Sequence, residues 1–193
     1  RRSSDLEYVS AMMLAVSMMF LRFMILILIF STSIFLNIYP YLLIMSATAA
    51  GIGIFIHKKH TIKGEREVIE ETETESNPLE FKVALIFALL FVVFTFLTHY
   101  TLVYAGTGGL SILSIATGLS DITPFILNLL QGGNIPATIV GACIMQAIIS
   151  NIVVNMFYAI FFSSRRKEML PYVWKGFLTV IGVNAVLLLI YYF

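Results

Sequence analysis

Charge is scarce in this chain and cysteine is almost absent. Only 12% of its 193 residues are charged, and the single cysteine, Cys143, stands inside an apolar stretch. One thiol excludes an internal disulfide framework and any zinc cluster built on paired cysteines. No Asn-x-Ser/Thr sequon occurs, nor a nucleophile elbow, an HExxH zinc motif, a glycine-rich phosphate loop or a histidine-rich redox cluster. The expectation is therefore a protein that is not an enzyme and carries no cofactor. Basic and acidic residues nearly cancel, 12 against 11, so bulk charge gives no reason to expect a nucleic-acid partner.

Apolar residues are what the chain has in excess. They make up 59% of it, and the mean hydropathy is +0.93. Soluble domains average about 45–50% apolar, and runs of ~20 residues almost without charge are the mark of a membrane span. The reading is an all-α integral membrane protein whose first partner is the lipid bilayer. It begins "RRSSDLEY", without methionine. Its first apolar run is too long for the core of a signal peptide, so a piece of a longer protein is expected.

Residues 1–193 read as a single membrane domain: a helical hairpin over 6–56, a polar linker over 57–77 and a second bundle segment over 78–193. In the hairpin the first span runs to about Phe35, the uncharged "LNIYP" at 36–40 is the turn, and "SATAAGIG" supplies small residues for close helix approach. The linker's carboxylates and threonines leave too little apolar surface to fold alone. Its His57 and His60 with nearby glutamates are weak evidence for a metal site. In "NPLE", Asn77 can cap a third span, Pro78 suits the first helical position, and Glu80 can reach back to the cap amide. That span ends near Tyr104; apolar segments follow over 108–130, 136–163 and 173–193, and Tyr191, Tyr192 and Phe193 suit an interfacial anchor.

Apart from Arg22, the basic residues fall in three groups: Arg1 and Arg2; Lys58, Lys59, Lys63, Arg66 and Lys82; Arg165, Arg166, Lys167 and Lys175. Basic residues near span ends favour the cytoplasmic side of an inner (plasma) membrane. Six full crossings would put the third group outside. Five crossings, with residues 108–131 entering and leaving at one face, put every charged loop in the cytoplasm and every uncharged turn outside. Local chemistry agrees with a break at Asp121–Pro124. Pro124 has no N–H and disfavours helix at Thr123, while Ser120, Asp121 and Thr123 are all N-cap types. Each half is near ten residues and reaches about half-way across at ~1.5 Å per residue. A kinked full crossing with an outside basic loop is the alternative, so the bundle has five or six membrane helices, one of them broken.

Arg22 and Asp121 are the charged residues set deep in apolar segments, where such groups face the protein interior and pair, or line a pathway. Their similar depth predicts a contact. Ser111, Ser114, Gly118 and Asp121 recur at helical spacing. Asn151 and Asn155 lie one turn apart in the fifth apolar segment, with Gln146 on another side, and Asn184 stands in the last segment. The residues expected to bind a substrate or ion are Asp121, Arg22, Ser120, Thr123, Asn151, Asn155 and Asn184. Interhelical hydrogen bonding is the plainer role for the amides. His99 shares a face with Thr95, and a local hydrogen bond explains it as well as proton shuttling does.

The stretches "SAMMLAVSMMFLRFMIL", "NPLEFKVALIFALLF", "GGLSILSIATGLSDITP" and "AIISN" resemble a bacterial and archaeal multi-pass membrane domain that commonly follows an MgtC/SapB-type domain. The likeness covers nearly the whole chain. It departs from the family's pattern at Asn155, where a lysine often stands, so a role for that cation does not transfer. The resemblance implies an inner-membrane domain whose partners are an N-terminal MgtC/SapB-type domain or other membrane subunits, and links it by analogy to magnesium homeostasis. Two functions stay open. A transporter or channel component predicts a water-accessible cavity touching Asp121. A non-transporting scaffold or regulatory subunit predicts a dry core in which Arg22 and Asp121 act through stability.

Overall fold

The first helix, α1 (Arg2–Phe30), buries Val9, Met13, Val16, Phe20, Phe23 and Ile27. Those positions alternate steps of four and three, the repeat of helices that pair with a slight left-handed supercoil. Its mate is α2 (Thr32–His60), which contributes Ile38, Leu42, Met45 and Ala49 to the seam. Small residues set the register. The Ser10 hydroxyl donates to the Gly53 carbonyl at 2.8 Å, and Ser17 and Ser46 exchange bonds with each other's carbonyls at 3.0 and 3.2 Å. A side chain at Gly53 would press on Leu14 and the Ser10 carbonyl at 3.1–3.2 Å, so the glycine is what lets the helices approach.

This computed structural model describes residues 2–60, 79–132, 135–163 and 170–192. The Asn77 cap, residues 61–77 of the polar linker and the basic run 165–167 lie outside them. All described regular structure is helical, and five helices are long and apolar enough to cross a membrane. The register places the hairpin turn at Ser31 and corrects the expected turn at 36–40, which is helical. The Ser31 hydroxyl accepts from the Ile34 amide at 3.4 Å, acting as the cap of α2, while Pro40 sits inside the helix. A proline removes one backbone bond but leaves a helix intact when packing holds both sides of it.

The next helix, α3 (Leu79–Thr117), reverses at Gly106, whose φ of 61° and ψ of −153° lie where essentially only glycine resides. A Cβ on Gly109 would come within 2.8 Å of the Thr101 methyl. In a straight helix those residues stand ~12 Å apart, so the chain folds back into two arms, 79–105 and 107–117. The second arm stops at Thr117, and α4 (Thr123–Gln131) returns beside the first arm. Phe125 packs edge-on to Phe94 at 5.7 Å, and Asn128 donates to the Thr95 hydroxyl at 2.7 Å. The arm and α4 are ~16 and ~13 Å long, about half of a ~30 Å hydrocarbon core. Residues 107–131 thus go in and come out at one end of the bundle, and the full crossing gives way to the re-entrant form.

Helices α5 (Ala137–Ser163) and α6 (Leu170–Tyr192) complete the bundle. The second arm of α3 runs parallel to α5, since Ser111 bonds Gln146 and Ser150 bonds the Ile115 carbonyl. Helix α6 is antiparallel to α5, with Tyr191 at Gly141 and Gln146 bonded to Tyr192. Ser31, Gly106, Gly132, Ile135 and Tyr192 therefore share one end of the bundle. Among the described residues the basic ones other than Arg22 (Arg2, Lys58, Lys59, Lys82, Lys175) belong to the opposite end. The outer surface is apolar: only 11% of the apolar window of α3 is buried, an exposure that lipid, not water, accommodates.

Candidate functional site at the tip of the re-entrant pair

A chain that ends a helix at mid-depth leaves carbonyls and amides with no water to satisfy them. Here local hydroxyls and α5 take over that role. The last turn of the second arm tightens, with Ser120 N–H bonding the Thr117 carbonyl at 3.0 Å and the Ser120 hydroxyl reaching the same oxygen at 3.1 Å. Ser114 and Thr117 turn their hydroxyls back onto the Leu110 and Ser114 carbonyls, each at 2.8 Å. From α5, Ser150 donates to the Ile115 carbonyl at 2.6 Å and Asn151 to the Gly118 carbonyl at 3.4 Å, while Asn155 holds Asn151 at 3.1 Å. Gly118 permits this docking: a Cβ there would fall 2.3 Å from the Ser150 side chain and 2.7 Å from the Asn151 amide. The two asparagines therefore serve the structure of the tip.

The chain restarts as a helix through Asp121. Its Oδ1 accepts from the Thr123 amide at 2.9 Å and from the Thr123 hydroxyl at 2.7 Å. Ile122 occupies the cap position proper and Pro124 lies in the first turn, so the carboxylate caps from one residue further out, and Thr123 is already helical. From α1, Arg22 donates through Nη2 to the Thr123 hydroxyl oxygen, and its guanidinium carbon stands 5.5 Å from the Phe23 ring. The expected meeting of Arg22 and Asp121 thus takes place through a threonine: guanidinium to hydroxyl, hydroxyl to carboxylate. Thr123 is buried, while Arg22 and Asp121 are exposed on the flank of the chain. Among the described residues Asp121 Oδ2 accepts no hydrogen bond.

Of the seven expected site residues, the structure joins Arg22, Thr123 and Asp121. Ser120 is next to them but turned back on its own arm. Asn151 and Asn155 sit under the tip. Asn184 bonds to none of these; it is fully buried on α6, and neither amide atom has a partner among the described residues. His99 is exposed and stacks edge-on beside Tyr100 at 6.0 Å, while Thr95 holds Asn128. Gln146, on another side of α5 from the two asparagines, links Ser111 (2.7 Å) to the Tyr192 hydroxyl (3.1 Å). Only the Ser111–Gln146 pair has polar side chains on both helices; one turn on, Ser150 meets a backbone carbonyl at Ile115, which leaves no mark in the sequence. Beside this chain of bonds lies a cavity of about 510 Å³ lined by Thr107, Ser111, Thr138, Cys143, Tyr191 and Tyr192. It opens near the end of the bundle that carries the uncharged turns and does not include Asp121.

Five long apolar helices and a half-depth helical pair define a polytopic all-α membrane protein. Over residues 1–163 the chain matches the DUF4010 family, described as a domain of unknown function, and it belongs to that family. It is 24% identical over 153 residues to an "Uncharacterized protein" of Aquifex aeolicus (strain VF5), covering 78% of this chain and 63% of that protein. The chain thus spans less than two thirds of that relative's length. No solved structure matches it. Neither match speaks to an adjoining MgtC/SapB-type domain.

Proposed function

We propose that the chain is a membrane component of a transporter or channel for a small ion, with Asp121 as the binding group. The supporting observation is the tip of the re-entrant pair: an exposed carboxylate at mid-depth, fixed by Thr123, with Oδ2 uncommitted among the described residues. Irregular backbone at such depth belongs where it lines a cavity or lies within protein, and broken helices of this kind hold ions in transporters. The helix start is a poor anion site, because Asp121 already occupies the Thr123 amide. A cation or proton suits the carboxylate, and Arg22, tied through the same hydroxyl, is placed to compete with it. The resemblance to domains that follow MgtC/SapB makes Mg²⁺ the first cation to test. In this reading the charged end of the bundle is cytoplasmic, the membrane is the inner one, and no chemical step is catalysed.

The test is flux in liposomes carrying the purified chain, read with a trapped pH dye and a trapped Mg²⁺ dye. Asp121→Asn should abolish the flux that the unaltered chain supports while its melting temperature stays within a few degrees. Unchanged flux in Asp121→Asn rejects this site. A second reading, a non-transporting scaffold or regulatory subunit, draws on the position of the described cavity, which lies away from Asp121. It expects no flux from the unaltered chain and a lowered melting temperature in Asp121→Asn.

A further inference from the structure

Arg22 lies inside the apolar window Glu7–Phe30, nine residues before Ser31, or ~13 Å along the helix at ~1.5 Å per residue. Asp121, joined to it through Thr123, shares that depth. Both are exposed on the chain's flank. Facing hydrocarbon, each would cost about 2.5–3.5 kcal/mol on insertion scales. Within the chain they are only partly satisfied. Thr123 takes one N–H of Arg22 and fills one oxygen of Asp121. Among the described residues the other guanidinium donors and Oδ2 have no hydrogen-bond partner, and the two charges make no direct ion pair.

We propose that a second copy of this chain covers the flank, with Arg22 of each copy paired to Asp121 of the other about a twofold axis along the membrane normal. A twofold interface brings one patch against itself, so the patch must be self-complementary. Opposite charges side by side at one depth meet that condition, and rotation sets each guanidinium before the free carboxylate oxygen of its neighbour, a bond stronger than those either makes alone. The surface beside them suits the same partner. Leu14, Met18, Leu21, Ile25 and Leu28 are exposed on α1 in alternating steps of four and three, the spacing of a paired helix seam. In the ion site proposed above, the partner's Arg22 then holds the free carboxylate oxygen until the transported cation displaces it. The pairing itself does not depend on flux.

The experiment is trans-complementation in lipid nanodiscs. In a homodimer of R22D every pair becomes acid against acid; in one of D121R, base against base. Each variant alone should dimerise at least about tenfold more weakly than the unaltered chain, because like charges in contact are repulsive. Co-expressed under different tags, R22D and D121R restore both opposite-charge pairs across the interface but neither tie within a chain. Co-purification at the level of the unaltered chain is therefore the expected result. To cover failure of the charge variants to fold, Leu21→Cys in a Cys143→Ala background should form a disulfide-linked dimer in membranes, and Leu189→Cys on α6 should not. The pairing is overturned by a monomeric mass for the unaltered chain, by a mixed pair no tighter than either variant alone, or by cross-linking through residue 189 and not 21. Dye flux is read on the unaltered chain after transfer from the same nanodiscs to liposomes: intact complementation with no flux from the unaltered chain rejects transport and keeps the dimer.

Discussion

Thr123 holds more of this site together than either charge does. Its amide and hydroxyl both bind Asp121 Oδ1, and its hydroxyl oxygen is the acceptor for Arg22. Thr123→Val keeps the branched shape and the amide bond but removes the hydroxyl, leaving the guanidinium and carboxylate without their link. Losing a hydrogen bond to a charged group costs ~1.5–3 kcal/mol, so a fall in melting temperature is expected, readable by thermal unfolding in detergent. Thr123→Ser should return most of it; equal melting of the valine and unaltered chains would show that the link carries no stability. The charges themselves were legible in the sequence, since Arg22 and Asp121 stand alone in apolar surroundings. The intermediary was visible only as a possible cap. Its part depends on α1 meeting α4 across 101 residues of chain, which no local pattern encodes.

Among the elements, the reversals decide the architecture, and they announce themselves unequally. The break before Pro124 was readable because proline, a carboxylate and hydroxyls coincide there. The reversal at Gly106 was readable as an uncharged, glycine-rich interval after Tyr104. The one at Ser31 was not, because Pro40 and "LNIYP" give a stronger local turn signal than a lone serine capping α2. Tertiary register overrode it: Ser10 against Gly53 and Ser17 against Ser46 centre the hairpin on residue 31. Gly106 offers a clean test of backbone strain, since nothing lies within 4 Å of a Cβ added there. Gly106→Ala is expected to destabilise by ~1–3 kcal/mol through φ and ψ alone. Gly108→Ala, equally open but helical, should be neutral or slightly stabilising. Matching melting temperatures for the two variants would contradict a reversal at 106.

For the whole molecule, charge placement and chain reversal agree. The sequence left five or six crossings open, five being the count that gathers all basic groups on one side, and the structure has five helices long and apolar enough to cross, arranged by side-chain contacts in which charge plays no part. Membrane sidedness follows as a prediction. With Cys143→Ala as background, single cysteines at Thr107 and Gly132 should react with an impermeant thiol reagent from the outer face of intact cells, and one at Ser163 only after the inner face is opened. Labelling of Gly132 from the cytoplasm would be incompatible with the re-entrant pair. The buried amide of Asn184 stays without a partner among the described residues, and the sequence offered no sign that it would differ from the amides under the tip.

The brevity of the links at Ser31 and Gly106 bears on how the chain enters its membrane. Each joins two helices almost without a loop, and neither carries a charge. A ribosome-bound insertion machine therefore has next to nothing hydrophilic to drag through the lipid at these points. Each antiparallel pair can slide in as one unit with its backbone already bonded, and under the sidedness proposed above the cationic segments stay on the side where they were made.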